Sequence, residues 1–319
     1  MVYINIEFGF GKRVNNEKQP AEAAWRMAGM KLAEAEAGRA RAEGRHKTAA
    51  NYLTAARSLS RFVGNAEWRL ADITPRMLGD YQRWLCGRGL RLNTVSVYMR
   101  SLRALYNRVL ADGGTPFRNV YTGREHTAKR SACVDDLLRL RRLTLDGQPS
   151  LALARDMFLF SFFAMGMPFV DMAHLRTGQI SGGVLHYARR KTAQEVSVAV
   201  EPCMDEIISR YASASSDYVF PVLRDATPET SSRVYLNRLR SYNYSLCRLS
   251  GMIGGRRLSS YVARHSWATL AYSSSHDLQL VAKAMGHTKL STTLIYIKSL
   301  FDPSLADANR KMLEDIGMI

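Results

Sequence analysis

Three side chains that together could attack and stabilise a phosphodiester stand in the last sixth of the sequence. The arginine lies in Arg264-His265-Ser266-Trp267-Ala268-Thr269, the histidine in Met285-Gly286-His287 and the tyrosine in Thr292-Thr293-Leu294-Ile295-Tyr296. A tyrosine hydroxyl is a nucleophile once its proton has an acceptor. Histidine moves protons near neutral pH, and a guanidinium offers a planar pair of donors to the non-bridging phosphate oxygens. Each of the three sits in a helix-like apolar pattern. Ser260 can cap a helix through Arg264 and Trp267, a helix over 277–285 stops at Gly286, and Ser291 can cap the helix that carries Tyr296. His287 then falls just past a helix end, nine residues before Tyr296, close enough for both to border one pocket.

The rest of the chain must position that trio and bring it a polyanion. Across 319 residues, 45 Lys and Arg oppose 28 Asp and Glu, a formal charge of +17, while 46% hydrophobic residues suffice for a packed core. On charge alone a nucleic acid is favoured over a merely basic soluble protein. Cys86, Cys133, Cys203 and Cys247 are widely spaced, with no C-x-x-C and no histidine pair near them, so no metal is predicted and free thiols in a reducing cytoplasm are expected. Met1 to Arg13 lacks the pattern of a signal peptide, and the apolar stretch Met157 to Val170 is too short to cross a bilayer. The expectation is a cytoplasmic, nucleoid-associated protein with no membrane partner.

The pattern along the chain predicts a mainly α protein with a small antiparallel β-sheet. Residues 1–44 read as a tail and a lead-in helix whose apolar face is mostly alanine, either docking on DNA or a neighbour or simply solvated. Residues 45–111 read as a helical bundle with helices over 48–63, 74–87 and 93–111, Thr74 capping the second ahead of Pro75 and Asn93 capping the third. Between Arg45 and Glu125 fourteen Lys and Arg stand against five Asp and Glu. Arg100, Arg103 and Asn107 share a face apart from the core stripe and are the candidate DNA contacts of this bundle, although any one of them reads equally well as a solvated side chain. Residues 112–131, opening on Asp112-Gly113-Gly114-Thr115-Pro116, read as a linker. The unit over 132–319 starts with helices over 134–143 and 150–165 and a hairpin, 183–188 and 195–200, whose turn carries Arg189, Arg190 and Lys191.

The ordered set R-H-S-W-A-T, M-G-H and T-T-L-I-Y resembles the tyrosine recombinase (phage integrase) family. Asn93-Thr94-Val95 through Asn107-Arg108 resembles that family's helical, SAM-like core-binding domain. Gly166-Met167-Pro168-Phe169-Val170-Asp171-Met172-Ala173 resembles a subgroup carried by bacterial mobile elements and DNA-inversion switches. The resemblance covers residue 45 to the end and implies a site-specific recombinase that integrates, excises or inverts DNA. It implies Tyr296 as nucleophile forming a 3′-phosphotyrosyl link, Arg264 as the second phosphate-clamping arginine, and His287 on the phosphate or in proton transfer. Lys191 matches the general-acid lysine, with Arg189 and Arg190 beside it as DNA contacts; a reading in which all three only touch the backbone stays open. No cofactor or ATP is needed, because the phosphotyrosyl bond conserves the energy for religation. Paired sites on double-stranded DNA, a homotetramer linked by a C-terminal helix over 302–318 and an accessory DNA-bending protein complete the implied assembly.

Two positions depart from the family pattern. Tyr261 stands three residues before Arg264, where the family has histidine; its hydroxyl can donate to phosphate but cannot serve as a base near neutral pH. Pro168 stands where aligning Gly166 and Asp171 places the first arginine, and neighbouring Met165 is uncharged too. Arg155, with Arg176 as the other candidate, is expected to stand in, with Asp171 orienting a cation, and Arg155 is then needed for cleavage but not for binding. Two rival readings follow: a catalytically impaired DNA-binding relative with an architectural or regulatory role, and a relaxing enzyme similar to type IB topoisomerases.

Overall fold

The computed structural model of the protein describes residues 27–109, 116–125, 131–297, 310–315 and 318. Within them the chain is mainly helical with one small antiparallel sheet, and it divides into two compact units, Met1–Thr127 and Ala128–Ile319.

In the first unit, α1 (Gly29–Ala42), α2 (His46–Val63), α3 (Pro75–Gly87) and α4 (Leu92–Val109) enclose a core that includes Leu59, Leu78, Tyr81, Met99 and Leu102. The predicted cap of α3 forms: Thr74 Oγ1 accepts from Met77 N at 3.2 Å, with Pro75 opening the helix. Three of the five alanines of α1 are turned into the unit. Ala33, Ala37 and Ala40 are fully buried, and Ala37 and Ala40 pack with Ala49 and Leu53 of α2. Glu36, buried beside them, ion-pairs with Arg39 at 2.7 Å and with Arg108 of α4 at 3.1 Å. Buried alanines let two helices approach closely, so α1 belongs to the bundle rather than leading into it.

The expected linker is also partly built into this unit. Phe117 and Val120 join the core, Ser96 Oγ donates to Gly123 O at 2.6 Å, and Tyr121 N donates to Gln82 Oε1 at 2.6 Å. Asn93 lies inside α4 rather than capping it. Its amide exchanges two hydrogen bonds with the Glu125 backbone, at 3.0 and 2.9 Å, and so fastens residues 116–125 to the bundle.

The second unit is organised around α6 (Pro149–Phe163). That helix is apolar on every side and buries Leu151, Met157, Phe158 and Phe160, as a helix enclosed by others must. It packs against α5 (Val134–Arg142), α8 (Pro202–Tyr211), α9 (Ser231–Met252) and α10 (Val262–Ser275). Each fully buried Phe contributes about 2–3 kcal/mol of transfer free energy to that core. After the short α7 (Phe169–Ala173) come β1 (Ile180–Ser181), β2 (Val184–Ala188) and β3 (Glu195–Ala199), antiparallel in the order β1-β2-β3. In the β2–β3 register Leu185 faces Val198 and Tyr187 faces Val196, and all four are buried. The hairpin is as expected; β1 is too short for periodicity to reveal. The chain closes with α11 (Leu278–Ala284) and α12 (Leu290–Ile297). Residues 310–315 are helical, while 302–309 and 316–317 of the expected C-terminal helix lie outside the described residues. Among the described residues no helix is long and apolar enough to cross a membrane.

Candidate active site

The site is assembled from α10, the α11 terminus, α12 and the β2–β3 turn. Arg264 lies on the first turn of α10 and is 2% exposed. The turn after α6 makes room for it: Gly166 adopts φ +74°, and a Cβ there would stand 2.9 Å from Arg264 Cα. Any other residue at 166 would carry both left-handed strain and a backbone collision. Through that gap Arg264 Nη1 donates to the Gly166 carbonyl at 2.7 Å, while Nη2 donates to the Met285 carbonyl at 2.7 Å.

The Met285 carbonyl is available because of how α11 ends. Asp277 caps the helix start, accepting from Gln279 N at 2.7 Å and Leu280 N at 2.9 Å. At the other end Gly286, at φ +61°, donates to Lys283 O at 2.9 Å and His287 N donates to Ala282 O at 2.9 Å, the paired bonds of a Schellman motif. The next carbonyls have no intrahelical donor and carry the negative end of the helix dipole, which suits cations.

His287, delivered by that turn, receives a hydrogen bond at Nε2 from Arg264 Nη2 at 3.0 Å, and its Nδ1 lies 2.9 Å from Thr293 Oγ1 on α12. A guanidinium cannot accept, so Nε2 must be unprotonated and Nδ1 carries the proton toward Thr293. The electrostatics agree. Burial first, then Arg264, Arg189 and Lys191, push the imidazole down to about 4. At neutral pH His287 is therefore a neutral ring whose unprotonated Nε2 is turned to Arg264.

Tyr296 is half-buried between two imidazoles, its ring centroid 4.4 Å from that of His265 and 5.7 Å from that of His287. Arg264 is lowered from its ordinary value by burial and then by Arg189, with Tyr296 acting in the opposite sense. The structure thus brings Arg264, His287 and Tyr296 of one chain together. Lys191 is exposed at the tip of the β2–β3 turn, near enough for its charge to be felt at His287. Arg190 is exposed as well, and its backbone N–H donates to Asp171 Oδ1 at 3.0 Å.

Other predicted residues are placed differently. Ser260 and Ser291 are not caps; Tyr261 takes the position before α10, and α12 begins at Leu290. Tyr261 is 53% exposed, and its ring faces His265 at 6.2 Å rather than Arg264. Arg155 sits eight residues before the end of α6, about 12 Å of helical rise. Its Nε donates to Asp156 at 2.7 Å and its Nη1 to Leu143 O at 2.7 Å. Its contacts give no support to the expectation that it replaces the first arginine, because two of its three guanidinium nitrogens are committed to the scaffold. Arg176 pairs with Asp217 at 3.2 Å and covers the Tyr218 ring. Pro168 is buried immediately before α7.

Arg189, expected to be a surface contact, is only 7% exposed. Its Nη1 donates to Met285 O at 2.7 Å and to Gly286 O at 3.1 Å. The signal for this lay in β2: Leu185 and Tyr187 point inward, and alternation carried one residue past the strand places Arg189 on the same face. Thr293, fully buried behind His287, and His265, packed on Tyr296, were also missed. Thr293 could have been found from its i, i+3 spacing to Tyr296 on one helix face.

In the first unit Arg100, Arg103 and Asn107 do lie along one side of α4. Arg100 lines a shallow groove of mixed polarity with Thr48 and Asn51 of α2. Among the described residues no group of three His, Cys, Asp or Glu is placed to hold a metal ion, and the four cysteines are free thiols.

Comparison with known proteins agrees with this architecture. Residues 30–119 match the phage integrase SAM-like domain and residues 148–302 match the phage integrase family. The chain is similar to the tyrosine recombinase XerD of Vibrio cholerae, 24% identical over 78% of this chain and 84% of that protein. Two other curated relatives are matched over only 46% and 25% of their own length. In fold it resembles the Tn1549 transposon integrase in complex with transposon right end DNA (TM-score 0.65, 12% identity, 91% of this chain and 100% of that one). It also resembles a lambda integrase dimer bound to a COC' core site (TM-score 0.61, 15% identity, 83% and 94%).

Proposed function

The chain belongs to the phage integrase family of tyrosine recombinases, and on that premise we propose that it cleaves and rejoins double-stranded DNA at specific sites through a 3′-phosphotyrosyl intermediate. The observation that carries this reading is the seating of Tyr296 between two imidazoles and beside Arg264, with the unprotonated nitrogen of His287 facing the same pocket. Tyr296 Oη forms a bond to the scissile phosphorus as the bond from phosphorus to the 5′ oxygen breaks. The tyrosine proton passes to His287 Nε2, Arg264 turns its donors to the non-bridging oxygens, and Lys191 protonates the departing 5′ oxygen. Religation is the reverse, with a 5′-hydroxyl attacking the phosphotyrosyl bond.

The helical unit holds the duplex through Arg100, Arg103 and Asn107, while Arg190 contacts the backbone beside the reacting strand. Four protomers act on two paired sites, joined through the segment after Tyr296, with an accessory DNA-bending protein as a further partner, in the cytoplasm on the nucleoid. The lambda integrase neighbour is bound to its core site as a dimer, which supports the multimeric reading. Integration, excision and inversion share this chemistry and differ in whether the two sites lie on one molecule or two and in how they are oriented.

Pro168 at the first arginine's place favours one second reading, a DNA-binding relative that does not cleave. The test is a site selected from a random duplex library by binding, then nicked at successive positions so that cleavage releases a short fragment and traps the adduct. A covalent protein–DNA species is expected with the wild type and none with Tyr296→Phe. Tight binding without an adduct at any nick position would leave the second reading standing. Strand exchange between two intact duplexes separates a recombinase from a relaxing enzyme.

A further inference from the structure

The family's first arginine is missing at Pro168, yet the pocket holds a second buried guanidinium. Arg189 and Arg264 both donate to the carbonyl of Met285, each at 2.7 Å, so their nitrogens can be no farther apart than twice that distance. Two buried cations on one carbonyl repel each other, and the protein offsets this with one carboxylate, Asp171, and the carbonyls at the helix end. Asp171 Oδ2 is 3.9 Å from Arg189 Nε, too far for a hydrogen bond, and Nε is buried without a hydrogen-bond acceptor. Among the described residues Nη2 has no acceptor either. A buried charged donor left unpaired costs more than a hydrogen bond is worth.

The surrounding backbone is nevertheless shaped to keep Arg189 there. A Cβ at Gly286 would stand 2.7 Å from Arg189 Cδ, so the glycine of Met285-Gly286-His287 serves the side chain as well as the helix end. Asp171, the acidic residue of the motif that lost its arginine, is 6% exposed and holds the Arg190 N–H at 3.0 Å, anchoring the strand end from which Arg189 projects.

From this geometry we infer that Arg189 is a catalytic residue: its Nε and Nη2 edge binds a non-bridging oxygen of the scissile phosphate opposite Arg264, in place of the arginine absent at Pro168. Asp171 is its positioning residue. Two guanidiniums facing one phosphate offset the charge that builds in the pentavalent transition state, and that anion relieves their repulsion further than Asp171 does alone. The inference rests on the covalent chemistry proposed above.

The experiment compares adduct formation on two versions of the nicked site, one with a phosphodiester at the mapped scissile position and one with a neutral methylphosphonate there. Arg189→Ala is expected to slow adduct formation on the phosphodiester by about 10²–10³-fold with DNA binding retained. On the methylphosphonate, which lacks the charge Arg189 meets, the ratio of wild-type to variant rate should fall to about tenfold or less. Arg189→Lys keeps the charge without the paired donors; it should show a smaller loss and the same recovery, and it carries the test if the alanine variant melts early. Equal losses on both substrates would make Arg189 a structural clamp of the α11 terminus and overturn the inference, as would wild-type rates in either variant. A wild type that binds but forms no adduct would instead overturn the covalent chemistry, and the inference with it.

Discussion

Two of the buried aspartates of the second unit, Asp156 and Asp171, are built to opposite rules. Asp156 is saturated. Its Oδ1 accepts from Arg155 at 2.7 Å, and its Oδ2 accepts from Arg210 at 2.5 Å and Tyr211 Oη at 2.8 Å. Arg155 spends a further donor on Leu143 O. Asp171 accepts one backbone N–H and stands 3.9 Å from a guanidinium whose Nε has no hydrogen-bond partner. A carboxylate with both oxygens satisfied serves the scaffold, here tying α6 to α8. An under-satisfied one costs stability and is retained where a ligand completes it. Sequence proximity to the motif pointed to the saturated cluster; the hydrogen bonds point to the other.

Replacing each carboxylate by its amide should separate the two. Asp156→Asn removes a charge shared by three donors and is expected to cost about 2 kcal/mol, at the lower end because Arg210 can turn to solvent. A melting temperature lower by about 5 °C, with adduct yield per folded molecule unchanged, would be the signature. A large loss of cleavage at unchanged stability would erase the contrast and return Arg155 to the pocket.

The next effect concerns acid stability. His287 is pushed down to about 4 in the folded chain, against about 6.5 when unfolded. Between these values the unfolded chain binds the proton and the folded chain does not, so stability falls as pH drops from about 6.5 to about 4. His287→Gln should flatten that part of the stability profile, measured by denaturant melts across the range. An unchanged slope would mean that neither burial nor the nearby cations hold the imidazole down.

The smallest effect on stability is expected at Asp171. Burial raises this carboxyl from its ordinary value against the pull of the Arg190 N–H, Arg189 and Arg264. For an acid raised on folding, the contribution to stability is present below the unfolded value and lost as pH rises through the folded one. At pH 7 the charge is therefore a net cost. Asp171→Asn should leave the melt unchanged or slightly raised at pH 7, with the advantage gone near pH 4, while adduct formation slows by about tenfold or more as Arg189 loses its orientation. Destabilisation as large as in Asp156→Asn would show that the two aspartates are alike.

Most elements were legible because their signals are local. The cap at Thr74-Pro75, the helix end at Gly286 and the alternation of β3 are each written in a few neighbouring residues, and each formed where expected. The alanine face of α1 was visible, but its occupant was not, since which surface covers an apolar stripe depends on where other helices fall. Asn93 was misread because a side chain that can cap a helix can equally hold a distant backbone, here that of Glu125.

The site divides along the same line. Sequence alone singled out Tyr296, His287 and Arg264, because their order and spacing resemble a known family and the helices that carry them are locally encoded. Only the tertiary structure decided which further cation is buried beside them. Arg264 is seated by a carbonyl 98 positions away and Arg189 by one 96 positions away, at the ends of different helices. A guanidinium takes its role from the acceptors it meets, and those are carbonyls, which every residue carries and no sequence pattern marks.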